Sequence, residues 1–261
     1  MRVTQFSKLT PLQSAIEGIQ SRKYLNEVRL ATGKQIVDIS ESPNTLAEGK
    51  RLDNLLDLYG QYKKNIDYSI GYVQYVTETI DSIPANLQKL SEVAIEATKA
   101  GMSRDLSTLG NTVRGLLNDI VKDLNSDFNG QFVFSGTLTS PDSIQQPPGS
   151  TTKLPFEIIQ ENPSPGNPSG LKVIFKGNNN RVVINTSKVS SEMINTTAND
   201  LFGDATANAL NSVVELYNLL TYDSNGNLRD SNDLFSQSDL LKLNELHKKF
   251  GEIYERVVAM N

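Results

Sequence analysis

The chain has 261 residues, no cysteine, and a formal net charge of −5 with a pI of about 5.1. Without cysteine there is no disulfide and no thiolate metal site; the basic pairs Lys63-Lys64 and Lys248-Lys249 sit among acids, so no electrostatic footprint for nucleic acid or an anionic membrane is present. No apolar run reaches the roughly 18 residues a bilayer span needs, and Met1-Arg2-Val3-Thr4-Gln5 lacks the continuous apolar core of a secretory signal.

Residues 6–40 read as an amphipathic helix whose first turns tolerate Pro11. Leu9, Leu12, Ile16 and Ile19 follow three-four spacing, but Lys23 and Asn26 interrupt the stripe before Val28, Leu30 and Ile36. So thin a stripe does not hold a helix alone. Residues 1–42 are therefore expected to be an assembly helix, disordered in the isolated subunit, with Leu9, Leu12, Ile16 and Ile19 as its interface. Glu41-Ser42-Pro43-Asn44-Thr45 ends that helix, because proline pushes the preceding residue out of the right-handed region. Ser42 or Thr45 then offers a cap for the next helix.

Residues 52–97 carry the strongest pattern. Alternate steps of three and four run through Leu52, Leu55, Tyr59, Tyr62, Ile66, Ser69, Val73, Val76, Ile80, Ile83, Leu87, Leu90, Ala94 and Ala97, and all but Ser69 are apolar. A 3.5-residue apolar repeat sustained this long predicts a rod-like helix with a coiled-coil seam, roughly 65–70 Å in length. Pro84 inside it removes a backbone bond and predicts a kink. Gly101 and Ser103 mark a helix stop and restart, after which Leu106, Leu109, Val113, Leu116, Ile120 and Leu124 form a matching stripe for an antiparallel hairpin.

From Phe128 the character changes. Gln131-Phe132-Val133-Phe134 is a β-type run closed by Ser135-Gly136, and most of the ten prolines fall between Pro141 and Pro168. Leu171–Phe175 and Arg181–Ile184 read as strands around a turn at Gly177-Asn178-Asn179-Asn180. The expectation is a small, outward β-rich domain at 132–198, inserted between the two parts of a helical domain, 43–131 and 199–261. Replacing 141–168 by a short linker would then leave the helical hairpin folded. Helix resumes near Thr206 with Leu210, Val213, Leu216, Tyr217 and Leu220. The last helix carries a second seam, Leu243, Leu246, Phe250, Ile253, Val257 and Met260. That run stops mid-stride at Asn261, which reads as a truncation.

Chemical motifs are sparse. Asp223, Asn225 and Asn227 suggest a calcium loop, but Leu228 and Leu234 stand where an EF-hand needs glycine and a bidentate acid, leaving a surface turn. Gly33-Lys34 has no upstream glycine at phosphate-loop spacing. His247 has no second histidine or cysteine to share a metal and reads as a surface imidazole. Asn185-Thr186-Ser187 and Asn195-Thr196-Thr197 match the glycosylation pattern by chance. No nucleophile–base pair or carboxylate dyad stands out. Neither catalysis nor a cofactor is expected.

Several strings, taken in order, resemble the flagellin superfamily, and most closely the flagellar hook-associated protein 3 (hook–filament junction) family. They are Met1-Arg2-Val3-Thr4, Leu30-Ala31-Thr32-Gly33-Lys34-Gln35-Ile36, Gln61-Tyr62-Lys63-Lys64-Asn65-Ile66, Asn125 with Gly130 through Gly136, Pro155-Phe156, and Phe175-Lys176-Gly177 leading to Val182-Val183-Ile184. Ala31-Thr32-Gly33 replaces the Ser-Ser-Gly of filament flagellins and favours the junction family. Glu41-Ser42 departs from that family's acidic pair before the proline. The resemblance implies a structural subunit exported through the flagellar type III route to the cell exterior. It further implies a homo-oligomeric ring, contacts with a neighbouring hook-associated protein and with flagellin, an export chaperone, and a C-terminal helix paired with the N-terminal one. The fold class expected is mainly α, an elongated helical bundle or coiled-coil rod with a β-rich insertion. Filament flagellin, or a coiled-coil binding module unrelated to flagella, are the alternatives.

Overall fold

The computed structural model describes residues 6–37, 42–99, 106–203, 206–230 and 234–260. The fold is mainly α with a small β portion, and the chain divides into two compact units, Met1–Lys63 and Lys64–Asn261. The first unit contains α1 (Phe6–Thr32) and the opening turns of α2 (Pro43–Ile80). The helix expected over 6–40 ends at Thr32, because Gly33 adopts a left-handed φ of +66° and stops it. Pro43 opens α2 at its first position, where the missing N–H costs nothing. The Ser42 carbonyl accepts the first intrahelical bond, from Leu46 N–H at 3.1 Å, and the Ser42 and Thr45 hydroxyls lie 2.7 Å apart.

The second unit is built on α3 (Ser82–Lys99) and α4 (Leu106–Leu124), followed by the β segment, the short α5 (Ala198–Phe202), α6 (Thr206–Thr221) and α7 (Gln237–Val258). The principal packing of α3 is against α7, with α4 as a second neighbour, and α4 packs on α6. The single helix expected over 52–97 is two helices. In a continuous helix the ring of Pro84 would collide with the carbonyl four residues back, that of Ile80, and the helix is interrupted at Asp81. The Asp81 N–H nonetheless keeps its bond to Thr77 O at 3.0 Å. Apolar phase survives the interruption, since Ile80, Ile83, Leu87 and Leu90 are all buried. Gly101 and Ser103 lie outside the described residues.

The strands form three antiparallel pairs: β1 (Asp127–Phe128) with β2 (Gln131–Phe132), β3 (Phe156–Gln160) with β4 (Leu171–Phe175), and β5 (Val183–Asn185) with β6 (Ser191–Met193). The pairing expected between 171–175 and 181–184 is corrected. Asn178, assigned to a hairpin turn, is held elsewhere: its N–H donates to Ser135 O at 3.0 Å and its Oδ1 accepts Thr137 N–H at 3.0 Å. Gly136 permits this closure at φ +71°, and a Cβ there would overlap the Asn178 carbonyl.

The segment expected as a small β-rich domain, 132–198, shares its apolar core with the helices. Val133, Phe134, Phe156, Leu171 and Val173 belong to the same apolar cluster as the helices. Two asparagines tie the strands to the helical frame. Asn125, just after α4, donates to Phe156 O and accepts Phe156 N–H at 2.8 and 2.9 Å. Asn211 of α6 does the same for Val173 at 3.1 and 2.8 Å. Replacing 141–168 would remove β3 and strip β4 of its partner, so loss of the helical core is now the expected result.

α7 begins at a capping box. Ser236 Oγ accepts Asp239 N–H at 3.1 Å, and Asp239 Oδ2 accepts Ser236 N–H at 3.0 Å. Burial pushes the Asp239 pKa up, but these bonds and Arg229 hold it below the usual carboxylate value. Ser236→Ala is expected to lower stability by about 1 kcal/mol. The denaturation midpoint should move with no change in slope. An unmoved midpoint would mean the cap contributes nothing.

Candidate functional site

Because successive residues of an α-helix are rotated by about 100°, the two apolar faces of α2 can be separated. Tyr72, Val76 and Ile80 are buried and lie within an arc of about 80°. In the same unit Ile66, Ile70 and Val73 lie on a second arc centred about 90° away and are exposed, and in the first unit Leu52, Leu56 and Tyr59, within about 60° of one another, are exposed too. The predicted seam drew from both faces. Leu55 and Tyr62 are half-buried, whereas Leu52, Tyr59, Ile66 and Val73 are exposed. A strict 3.5 repeat drifts by about 20° per heptad on a straight helix, so the one predicted seam crosses from the outer face to the inner one.

α1 has the same character. Leu12, Ile16, Ile19 and Leu30 fall within about 60° of one another around the helix axis and are exposed. The side chain of Leu9 lies outside the described residues. Of the C-terminal seam, Leu243, Leu246, Phe250, Ile253 and Val257 are buried along α7, where it packs on α3. Met260 is beyond the helix and exposed. Exposed apolar stripes of this length on helices are a signature of surfaces that other chains cover.

Sequence reading missed how α2 grips the rest of its unit. Phe128 sits among Tyr68, Tyr72 and Tyr75 at centroid distances of 5.7, 5.8 and 5.6 Å. The Tyr72 hydroxyl donates to Val133 O at 3.2 Å. Burial, then the neighbouring Tyr68, push the Tyr72 pKa up to about 12, so the phenol stays a donor at any ordinary pH. The signal was present as tyrosines at 68, 72 and 75, the i and i+4 spacing of one helix face.

Polar candidates resolve into structure. His247 is half-buried between α3 and α7, its Nδ1 2.6 Å from Ser91 Oγ, and so is not a lone surface imidazole. Asn195 is buried, accepting Val182 N–H at 2.8 Å and donating to Asn180 O at 3.1 Å. Asp223 Oδ1 accepts the N–H groups of Asn225 and Asn227 at 2.9 and 2.8 Å, which holds its pKa below the carboxylate norm and makes 222–229 a closed turn. Among the described residues, no group of three or more His, Asp or Glu side chains could hold a metal ion. Among the described residues, no helix is long and apolar enough to cross a membrane either.

Known proteins match at two levels. The family model for the bacterial flagellin N-terminal helical region matches residues 9–139, from α1 through β2. No curated protein matches the sequence. A solved structure from Vibrio parahaemolyticus, named as a flagellar hook-associated protein, superposes with a TM-score of 0.63 at 16% identity, over 85% of this chain and 86% of that one, and shares its fold. FlgL of Bacillus cereus (TM-score 0.46, 14% identity, 82% of this chain and 90% of that one) and the flagellar junction protein FlgL of Legionella pneumophila (0.39, 15%, 62% and 42%) overlap too loosely to bear on the fold. With half of its length matched by that family model, the chain belongs to the bacterial flagellin family of structural flagellar proteins.

Proposed function

We propose that the chain is a structural subunit of the bacterial flagellum that joins the hook to the filament. The observation that carries the reading is the pair of unpartnered apolar faces on α1 and α2, both inside the region matched by the flagellin model. Such faces suit a subunit that completes its core only against neighbours, as in a homo-oligomeric ring bounded by another hook-associated protein and by flagellin. Export through the flagellar type III route with a chaperone, and a final position outside the cell, belong to the same reading. Filament flagellin is the second reading, since the matched region is common to both. Sheared flagella separate the two: a junction protein is a minor component there, and a flagellin is the bulk.

The assembly face has a direct test. Leu56 is 69% exposed, so Leu56→Asp removes apolar surface that the subunit itself does not bury. The isolated subunit is expected to keep its melting temperature, since exposed sites change stability by only about 0.5 kcal/mol. Incorporation into flagella is expected to be lost. Normal incorporation would show that this face stays bare.

The residues of α1 are proposed to order fully only in the assembly, because Leu12, Ile16 and Ile19 are 59%, 48% and 60% exposed. A helix with an uncovered stripe is marginal in water. Hydrogen exchange on the isolated subunit is expected to be fast from Leu12 to Val28 and slowed in assembled flagella. Slow exchange in the isolated chain would sink the proposal.

A further inference from the structure

The sequence contains two Asn-Gly pairs, Asn129-Gly130 and Asn225-Gly226, and the fold holds them differently. We infer that Asn225 is a site of spontaneous deamidation in the folded protein and that Asn129 is protected from it.

In this chemistry the backbone nitrogen of the glycine attacks Cγ of the asparagine side chain. A bond forms between that nitrogen and Cγ, the bond from Cγ to Nδ2 breaks, and the amide proton leaves with the nitrogen as ammonia. Water then opens the cyclic imide at either carbonyl, giving aspartate or isoaspartate. No oxidant or reductant takes part, and solvent supplies the water. Glycine is the favourable following residue because no Cβ hinders closure of the ring. The step requires the glycine nitrogen to give up its hydrogen bond and reach the side-chain carbon, so the rate is gated by local opening of the backbone.

At Asn129 that opening is costly. Asn129 and Gly130 form the two-residue turn between β1 and β2, with φ of 54° and 77°, the geometry favoured in tight hairpins. Gly130 N–H donates to the Asp127 carboxylate at 2.9 Å. A negative charge at that distance disfavours the deprotonated amide through which attack proceeds. The adjoining Phe128 is wedged among three tyrosines of α2, so the turn cannot open without disturbing that cluster.

At Asn225 the turn is held by its own hydrogen bonds, Asp223 Oδ1 accepting the Asn225 and Asn227 N–H groups at 2.9 and 2.8 Å and Asp223 N–H donating to Asn227 O at 2.8 Å. Residues 224–228 are all exposed, and Gly226 N–H makes a single turn bond to a neutral acceptor, Asp223 O at 3.1 Å. No apolar side chain of the loop is buried, with Leu228 itself exposed. Conversion would set a new carboxylate beside Asp223. The isoaspartate product would also lengthen the main chain by one carbon inside the turn closed by the Tyr222–Leu228 bridge.

The test is peptide mapping by mass spectrometry after prolonged incubation of the full chain in mildly alkaline buffer, with a parallel sample in concentrated urea. In the folded protein, the peptide holding Asn225 is expected to gain the mass of an amide-to-acid change at least about tenfold faster than the peptide holding Asn129. In urea the two rates are expected to converge, because both pairs then have the same Asn-Gly chemistry. Asn225→Gln should abolish the gain in its own peptide without altering that of Asn129. Equal rates in the folded chain, or faster reaction at Asn129, overturn the inference. A preference for Asn225 that persists undiminished in urea also overturns it, since local sequence rather than the fold would then set the selectivity.

Discussion

Val76→Asp is expected to unfold the Lys64–Asn261 unit, whereas Val73→Asp, one turn earlier on the same helix, is expected to leave it folded. The sequence pattern assigned both residues to one seam. In the structure Val76 is 4% exposed and part of the central apolar cluster, and Val73, about 60° around the axis of α2 from it, is 47% exposed. Burying an aspartate at 76 forfeits about 1.5–3 kcal/mol of apolar transfer. It also either strands a carboxylate without partners or forces its protonation, at a further cost of several kcal/mol. Domain stabilities are about 5–15 kcal/mol, so the sum removes most of the margin. At 73 the carboxylate stays in water and the change is expected to be within about 0.5 kcal/mol. Thermal melts followed by circular dichroism decide the matter. Loss of structure in the Val73 variant, or a wild-type melt for the Val76 variant, would reverse the assignment of the faces.

That pair of residues also shows what was legible in the sequence. Periodicity identified helices around α2, α3, α4, α6 and α7 because each keeps an apolar stripe over many turns, and a stripe is a one-dimensional signal. It could not reveal that α2 has two stripes. A three-four register accommodates either face with a small drift, and only packing says which positions meet a neighbour. Helix ends were less legible. Gly33 ends α1, yet nothing in the apolar stripe marks it as a helix stop, and the capping box Ser236-x-x-Asp239 at the start of α7 went unused. In the β segment, Leu171–Phe175 was placed correctly, but its partner was not. The nearer candidate, 181–184, lost to Phe156–Gln160 because Asn125 and Asn211 position β3 and β4 from the helices. Those are long-range contacts with no local signature. Asn129-Gly130 did have one, as the strongest short hairpin signal in the chain, and the strand read at 131–134 obscured it.

The least legible feature, a buried ion pair, carries the second large expectation: Glu157→Gln should destabilise the protein by about 3–5 kcal/mol, because it leaves the Lys176 ammonium buried without its counter-charge. Lys176 Nζ lies 2.8 Å from Glu157 Oε2, and the two side chains are 2% and 8% exposed. Glu157 accepts further bonds from Ser150 Oγ at 2.6 Å and from Thr151 N–H and Oγ1 at 2.8 and 2.9 Å, while Lys176 also donates to Thr152 O at 2.6 Å. The pair thus pins 150–152 onto the β3–β4 sheet. Burial pushes the Glu157 pKa up, but the bonds from Lys176, Ser150 and Thr151 outweigh it and hold the group well below its ordinary value of 4.5. A carboxyl whose pKa is lower in the folded state binds fewer protons there than when unfolded. Its contribution is therefore fully present above about pH 5 and is lost progressively as pH falls below the unfolded value. Urea midpoints are expected to be flat from pH 7 to about 5 and to drop below that, with a shallower drop in Glu157→Gln. Removing both partners in Glu157→Gln/Lys176→Met is expected to recover much of the loss, since an apolar replacement of a buried pair is often close to neutral. If the single variant matches wild type at pH 7, or if the double variant is worse than the single one, the pair does not hold this sheet in place.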